Sequence, residues 1–212
     1  MYTRNIKKSV VESLNDTSVV VINGARQTGK STFCQQLIKD NLFKAQYVTF
    51  DDPTALSAAQ SDPGAFIEGL KKDVVLDEIH RVRGLLLTIK KFVDQDSKGR
   101  RFILTGSADV MMLPKVSESL AGRIEVHNLW PLSIGEIQGH QSSFLKTLIS
   151  NEIDFQTSNY TWNDLTKMMG LGGYPEVLKR PSEVRREKWF KSYINSILQK
   201  DIRELANIDG LV

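Results

Sequence analysis

The 212-residue sequence is poor in the residues that build covalent and metal-held folds: one cysteine, three histidines and six prolines. A single thiol, Cys34, cannot close an internal disulfide, and a reducing interior suits it. His80, His127 and His140 show no metal-ligand spacing, which argues against a zinc-type centre. No apolar run approaches the roughly 20 residues a membrane helix needs. The opening MYTRNIKKSVVESLND has no continuous apolar stretch of the signal-peptide kind. The expectation is a cytoplasmic protein with no membrane partner. Net charge is also scarce, at +3, too little by itself to imply nucleic acid, while 41% hydrophobic and 25% charged residues are ordinary for a chain that folds. The basic excess is local. From Lys179 to Glu204 there are eight Lys or Arg and four Asp or Glu, against twenty and twenty-one in the remainder. Such a segment is either a solvated helix face or a DNA- or protein-binding surface.

Five short segments rich in Val, Ile, Leu and Phe recur along the chain: Ser18 to Asn23, Ala45 to Phe50, Asp73 to Leu76, Arg101 to Thr105 and Ile124 to Leu129. Several are apolar without alternation, as in strands covered on both faces, and helix signals lie between them. Alternating strand and helix predicts an α/β fold with a parallel sheet. Asp52-Pro53 and Asp62-Pro63 each set an N-cap aspartate before a proline at the first helical position. From Pro131 onward helices dominate: Ser133 with Glu136, and Thr161 with Asp164, have capping-box spacing. From Ser182 to Leu205, Val184, Trp189, Tyr193, Ile197, Leu198, Ile202 and Leu205 fall near one helical face and are expected to pack. Neither an internal repeat nor a low-complexity tract is visible.

Gly24-Ala25-Arg26-Gln27-Thr28-Gly29-Lys30-Ser31 fits GxxxxGK[ST] between a strand and a helix. Glycines let backbone wrap around phosphate, N–H groups point inward, and the helix N-terminus adds partial positive charge. Lys30 is placed to neutralise β and γ phosphates and Ser31 to hold Mg²⁺. Thr32 either contacts phosphate or caps the helix. Cys34, one turn beyond Lys30, reads as a small core residue.

The loop alone serves many functions, and the second acidic motif narrows them. DVVLDEIHR puts Asp77 and Glu78 at the end of an apolar strand, forty-seven residues after Lys30. Parallel strands present their carboxyl ends on one edge, so Asp77 is expected beside the loop as a magnesium ligand. A glutamate next to that aspartate can polarise water, which is hydrolysis chemistry. A strand between the two motifs fits the division of phosphate-loop folds in which that glutamate is catalytic. The strand RRFILTGSAD ends in Thr105 and Ser107, either of which could sense the γ phosphate or simply terminate the strand. Arg123 could reach phosphate in its own or a neighbouring subunit, or pair with a carboxylate.

Together NGARQTGKST, VTFDDP, VVLDEIHR, RFILTGS, SLAGR with NLWPLSIGE, GGYPEVL and QKDIRELANI resemble one family over nearly the whole chain. This is the group of bacterial and archaeal AAA-like ATPases whose amino-terminal P-loop domain precedes a carboxy-terminal region of unknown function. The resemblance implies a three-layer P-loop sandwich with a parallel five-stranded sheet of order 5-1-4-3-2 and a smaller α-helical segment after it. It also implies ATP and Mg²⁺ as cofactors. By position, Gly29, Lys30, Ser31, Asp77 and Glu78 take the nucleotide, metal and water roles. The expected division is residues 1–135 for the ATPase domain and 136–212 for the helical segment. Two departures stand out: His80 occupies a position where glutamine is expected, and relatives continue past residue 212, so that the helical segment is expected to begin a larger region.

The leading expectation is therefore a Mg²⁺-dependent ATPase that couples nucleotide state to the helical segment, possible as a homo-oligomer. The alternatives are a slow-hydrolysing nucleotide switch, with or without nucleic acid, and a small-molecule kinase. No NKxD-type segment supports guanine specificity.

Overall fold

The computed structural model describes residues 2–82, 84–95, 99–106, 122–140, 148–150 and 160–208. All five apolar segments are strands: β1 (Val19–Asn23), β2 (Gln46–Thr49), β3 (Asp73–Asp77), β4 (Arg101–Gly106) and β5 (Ile124–Asn128). They form one parallel sheet in the order β2-β3-β4-β1-β5, which from the other edge is 5-1-4-3-2. Every strand therefore ends on the same edge.

Helices cover both faces, which explains the unbroken apolar strands. Along β1, Val19 and Val21 join a core with Val74, Leu76, Phe102 and Leu104. The intervening Val20 and Ile22 point the other way and join Val75 and Ile103. The first core is closed by α3 (Pro53–Ser61), α4 (Pro63–Glu68), a 3₁₀ turn (Ile79–Val82) and α5 (Leu85–Gln95), through residues such as Ile67, Ile79, Leu86 and Ile89. The second is closed by α1 (Lys7–Ser13) and α2 (Lys30–Lys39), through Val10, Leu14, Phe33, Cys34 and Leu37. Each fully buried aliphatic or phenyl side chain contributes about 1.5–3 kcal/mol relative to exposure. Asp52 and Asp62 cap α3 and α4 by accepting from Thr54 N at 2.8 Å and Ala65 N at 2.9 Å.

Beyond the sheet, α6 (Ile134–Gln138) and α7 (Trp162–Leu171) start with the two expected capping boxes. They are followed by α8 (Pro175–Leu178) and the long α9 (Glu183–Ile208). The expected packing face of α9 is corrected in part. Trp189 and Tyr193 stack at 4.9 Å with their rings 7° apart, and both meet Tyr174. Val184 is 75% exposed and Leu198 52% exposed, so helical periodicity there marks a face that no described residue covers. The side chains of Ile202 and Leu205 lie outside the described residues.

The helical segment is stitched to the sheet domain where Leu132 N donates to the Gly173 carbonyl at 2.7 Å. A Cβ on Gly173 would sit 2.0 Å from Leu132 O, so only glycine permits this approach. Gly173→Ala is expected to force the strands of backbone apart at a cost of about 1–3 kcal/mol. Chemical denaturation gives the loss, and faster proteolysis within residues 160–208 than in the sheet domain locates it.

Candidate functional site

The loop Gly24–Ser31 leaves the carboxyl end of β1 and enters α2. Gly24 has φ 154°, and a Cβ there would lie 2.3 Å from Leu129 O, so the loop can only start with glycine. Gly29 (φ 95°) is the N-cap of α2 and no side chain caps that helix, which presents its first-turn N–H groups toward the loop. Buried Thr28 donates to Ala25 O at 2.9 Å and braces the turn. Gln27 adopts φ 60°, an uncommon conformation for a non-glycine residue. Lys30 is buried, and its Nζ donates to the Gly24 and Ala25 carbonyls at 2.9 Å each. Burial pulls its pKa down, opposed by the charges of Glu78 and Asp77.

The acidic pair sits at the end of the adjacent β3, beside β4. Asp77 is 4% exposed, and hydroxyls from three elements hold its carboxylate. Ser31 Oγ donates to Oδ1 at 3.1 Å, Thr105 Oγ1 donates to the same oxygen, and Tyr47 Oη donates to Oδ2 at 2.7 Å. Burial and the neighbouring Asp77 charge raise the Tyr47 pKa, so its phenol keeps the proton it donates. Glu78 follows with φ 59°, a strained backbone at the strand exit. Its N–H donates to Thr105 Oγ1 at 3.0 Å, so Thr105 serves both acids. Its Oε2 lies 3.0 Å from His80 Nδ1, for which there is no other polar partner among the described residues. That contact, with smaller contributions from Lys30 and Arg26, holds the Glu78 carboxyl below its ordinary value of 4.5 against the opposing effect of burial.

Lys30, Ser31, Thr32 and Glu78 line one cavity of about 810 Å³, which extends past Gln36 to Tyr2 and Pro175. That volume is within the range of small-molecule and cofactor sites. An uncapped helix N-terminus, a buried lysine and a carboxylate beside a serine hydroxyl suit a phosphate chain with a magnesium ion. Among the described residues no group of three or more His, Cys, Asp or Glu could hold a metal. Magnesium typically takes one or two protein ligands and completes its shell with phosphate and water, so Ser31 and Asp77 suffice.

Other sequence-predicted residues are placed as follows. Arg123 lies at the start of β5, where its carbonyl accepts from Val19 N, and Nε pairs with Asp94 at 2.7 Å. A five-residue strand separates that edge from the loop, about 16 Å. The structure does not bring Arg123 to its own subunit's loop, and of the readings weighed the carboxylate pair is the one present. Ser107 lies outside the described residues. Cys34 is fully buried, and burial raises its thiol pKa. Within the basic segment, Arg180 lies over the Trp189 ring at 5.7 Å and Arg186 donates to Arg180 O at 3.2 Å, while Arg185, Lys188 and Lys191 are exposed.

Three residues that touch the site were not read as site residues in the sequence. Buried Arg4 donates to Thr28 O at 2.9 Å, to the Trp130 carbonyl, and to Glu136 Oε1 at 3.2 Å. Tyr193 Oη donates to Arg26 O at 3.1 Å, and the third residue is Tyr47. Strand register accounts for Tyr47: it precedes Thr49, the register partner of Asp77, by two residues and so shares its face.

The depressed Glu78 pKa fixes a sign. A carboxyl whose folded pKa is lowered contributes stability that is present above its unfolded value and is lost as pH falls through the folded value. His80→Ala should move the Glu78 carboxyl upward, seen by carbon-13 NMR titration. The stability gap between native chain and variant should be larger at pH 6 than at pH 3.5; an equal gap at both values rejects the His80 contact as its cause.

Comparison with known proteins agrees with this geometry. The AAA domain family matches residues 16–138, and a family described only as a domain of unknown function matches residues 163–211. An uncharacterized protein of Mycobacterium tuberculosis is 26% identical over 195 residues, which is 92% of this chain and 38% of the relative. An uncharacterized protein of Methanocaldococcus jannaschii is 24% identical over 213 residues, 97% of this chain and 46% of the relative. The chain thus spans less than half the length of these curated relatives. With the AAA match covering more than half of its residues and laid over a parallel sheet of matching strand order, the chain belongs to the AAA domain family.

Proposed function

We propose that this AAA-type nucleotide-binding domain takes ATP with magnesium and hydrolyses it, with residues 1–135 as the ATPase unit and 136–212 as the helical segment that receives its state. The observation that carries this reading is the Ser31–Asp77 hydrogen bond of 3.1 Å, which joins two motifs 46 residues apart on one sheet edge. In this reading the N–H groups from Gly24 to Thr32, together with the α2 N-terminus, receive phosphate oxygens. Lys30 offsets the charge of the β and γ phosphates. Ser31 and Asp77 would hold magnesium, which when bound draws charge from the phosphates. Glu78, kept ionised by its neighbours, orients and deprotonates the attacking water. Thr105 fixes both acids, and Thr105 or Ser107 serves as the γ-phosphate sensor.

One observation favours the switch reading as the second choice. The Tyr193 hydroxyl holds the Arg26 carbonyl at 3.1 Å, so α9 touches the loop itself. A change in loop backbone would be felt by α9 without turnover. A homo-oligomer, and a DNA or protein partner at the basic segment 179–204, where Arg185, Lys188 and Lys191 are exposed, belong to the same proposal. Among the described residues no helix is long and apolar enough to cross a membrane.

Glu78→Gln separates the readings. It should leave ATP binding intact and lower steady-state hydrolysis by roughly 10²- to 10⁴-fold, whereas Lys30→Ala should abolish retention of nucleotide. Hydrolysis by E78Q at the native rate refutes the base assignment. Native turnover that is negligible with and without DNA, at every protein concentration, alongside tight binding, selects the switch.

A further inference from the structure

Tyr47 has no place in the functions assigned so far, yet its hydroxyl takes one of the two oxygens of the buried Asp77. The two oxygens are treated differently. Oδ1 accepts from Ser31, on the loop side, and from Thr105, on the β4 side. Oδ2 has Tyr47 at 2.7 Å. A carboxylate on a single strand-end residue can rotate about its last torsion. Donors on both oxygens fix its plane, and the Tyr47 donor comes from β2, on the opposite side of β3 from β4. A phenol on a short strand is a rigid donor, with two side-chain torsions. Partners of this kind, behind a metal ligand, orient it and tune its basicity.

We infer that Tyr47 is a positioning residue for magnesium: its hydroxyl locks the Asp77 carboxylate so that Ser31 and Asp77 face the metal in one fixed arrangement. In this role Tyr47 touches neither nucleotide nor water and acts through the residues its hydroxyl adjoins, chiefly Asp77 with Ser31 beside it. The inference rests on the magnesium-nucleotide reading above, and it adds a dependence that reading does not require. A Tyr47 that only satisfied a buried oxygen would support the fold and leave metal affinity unaltered relative to nucleotide affinity.

The test is Tyr47→Phe, which removes the hydroxyl and keeps the ring. ADP affinity is measured by calorimetry in EDTA and across a magnesium series, on the same chain, with thermal melting as a fold control. The expected result is a rise of about tenfold in the magnesium concentration that half-maximally tightens ADP, with ADP affinity in EDTA unchanged within about twofold. Manganese binding to the ADP complex, read by paramagnetic resonance, should weaken by a similar factor. An unchanged magnesium series in Y47F overturns the inference and leaves the ATPase reading standing. Equal losses with and without magnesium overturn it too and make Tyr47 a fold residue. A native chain that binds no ADP under either condition overturns both.

Discussion

The buried carboxylate of Asp77 is the constraint on which the site depends. A carboxylate out of water must be fully hydrogen-bonded or it protonates. Here the donors are hydroxyls from α2, β2 and β4, three elements that only a parallel sheet of this order brings to one point. Neutral hydroxyls satisfy the oxygens without cancelling their charge. An arginine in their place would give a stronger pair and destroy the site, because the negative charge would no longer be available to a cation. The same logic explains Thr105, which accepts from the Glu78 N–H while donating to Asp77 and so couples the strained Glu78 backbone to the carboxylate before it.

What the sequence revealed follows the range over which its signals act. Lys30 and Ser31 are legible because loop, glycines and helix start lie within eight residues. Asp77 and Glu78 are legible because an apolar strand followed by two acids is local, and because all parallel strands end on one edge. The five strands, both aspartate caps and both capping boxes are short-range features of the same kind. Tyr47 reaches Asp77 across 30 positions and Tyr193 reaches Arg26 across 167, and no spacing rule connects such pairs. Arg4 was hidden for another reason. A lone arginine near a chain start reads as solvated, and only the meeting of Thr28, Trp130 and Glu136 around it makes a buried guanidinium tolerable. On α9, periodicity identified an apolar face but carries no information on what covers it, which is why Val184 and Leu198 stand exposed while Tyr193 is buried.

Arg4 and Tyr193 also explain how the loop is held from outside. One grips the Thr28 carbonyl and the other the Arg26 carbonyl, two residues apart, from the chain's first residues and from its last helix. Both bind carbonyls, which leaves loop N–H groups for an anion. Arg4 is further tied to Glu136, whose Oε1 also accepts from Asn5 N and whose Oε2 closes the α6 capping box, so the loop, the start of the chain and the entry to the helical segment share one buried ion pair. Breaking such a pair by removing one partner costs about 3–5 kcal/mol. The loop is therefore held by its scaffold, through Arg4 toward α6 and through Tyr193 on α9.

Charge balance then limits what can enter the cavity. Lys30 stands near Glu78 and Asp77 and Arg26 near Glu78, and burial already works against the ammonium of Lys30. A bare triphosphate would bring several negative charges to a cavity lined by Glu78, with Asp77 beside Ser31, and the repulsion from these acids would oppose part of what Lys30 and the helix terminus supply. A divalent cation arriving with the phosphates reverses the sign of that opposition, because Asp77 then attracts the complex it would have repelled. On the proposed magnesium-nucleotide reading, the acid that penalises nucleotide alone is the acid that favours nucleotide with metal. On that reading, the three hydroxyls that fix the Asp77 carboxylate in place make the discrimination a property of the fold.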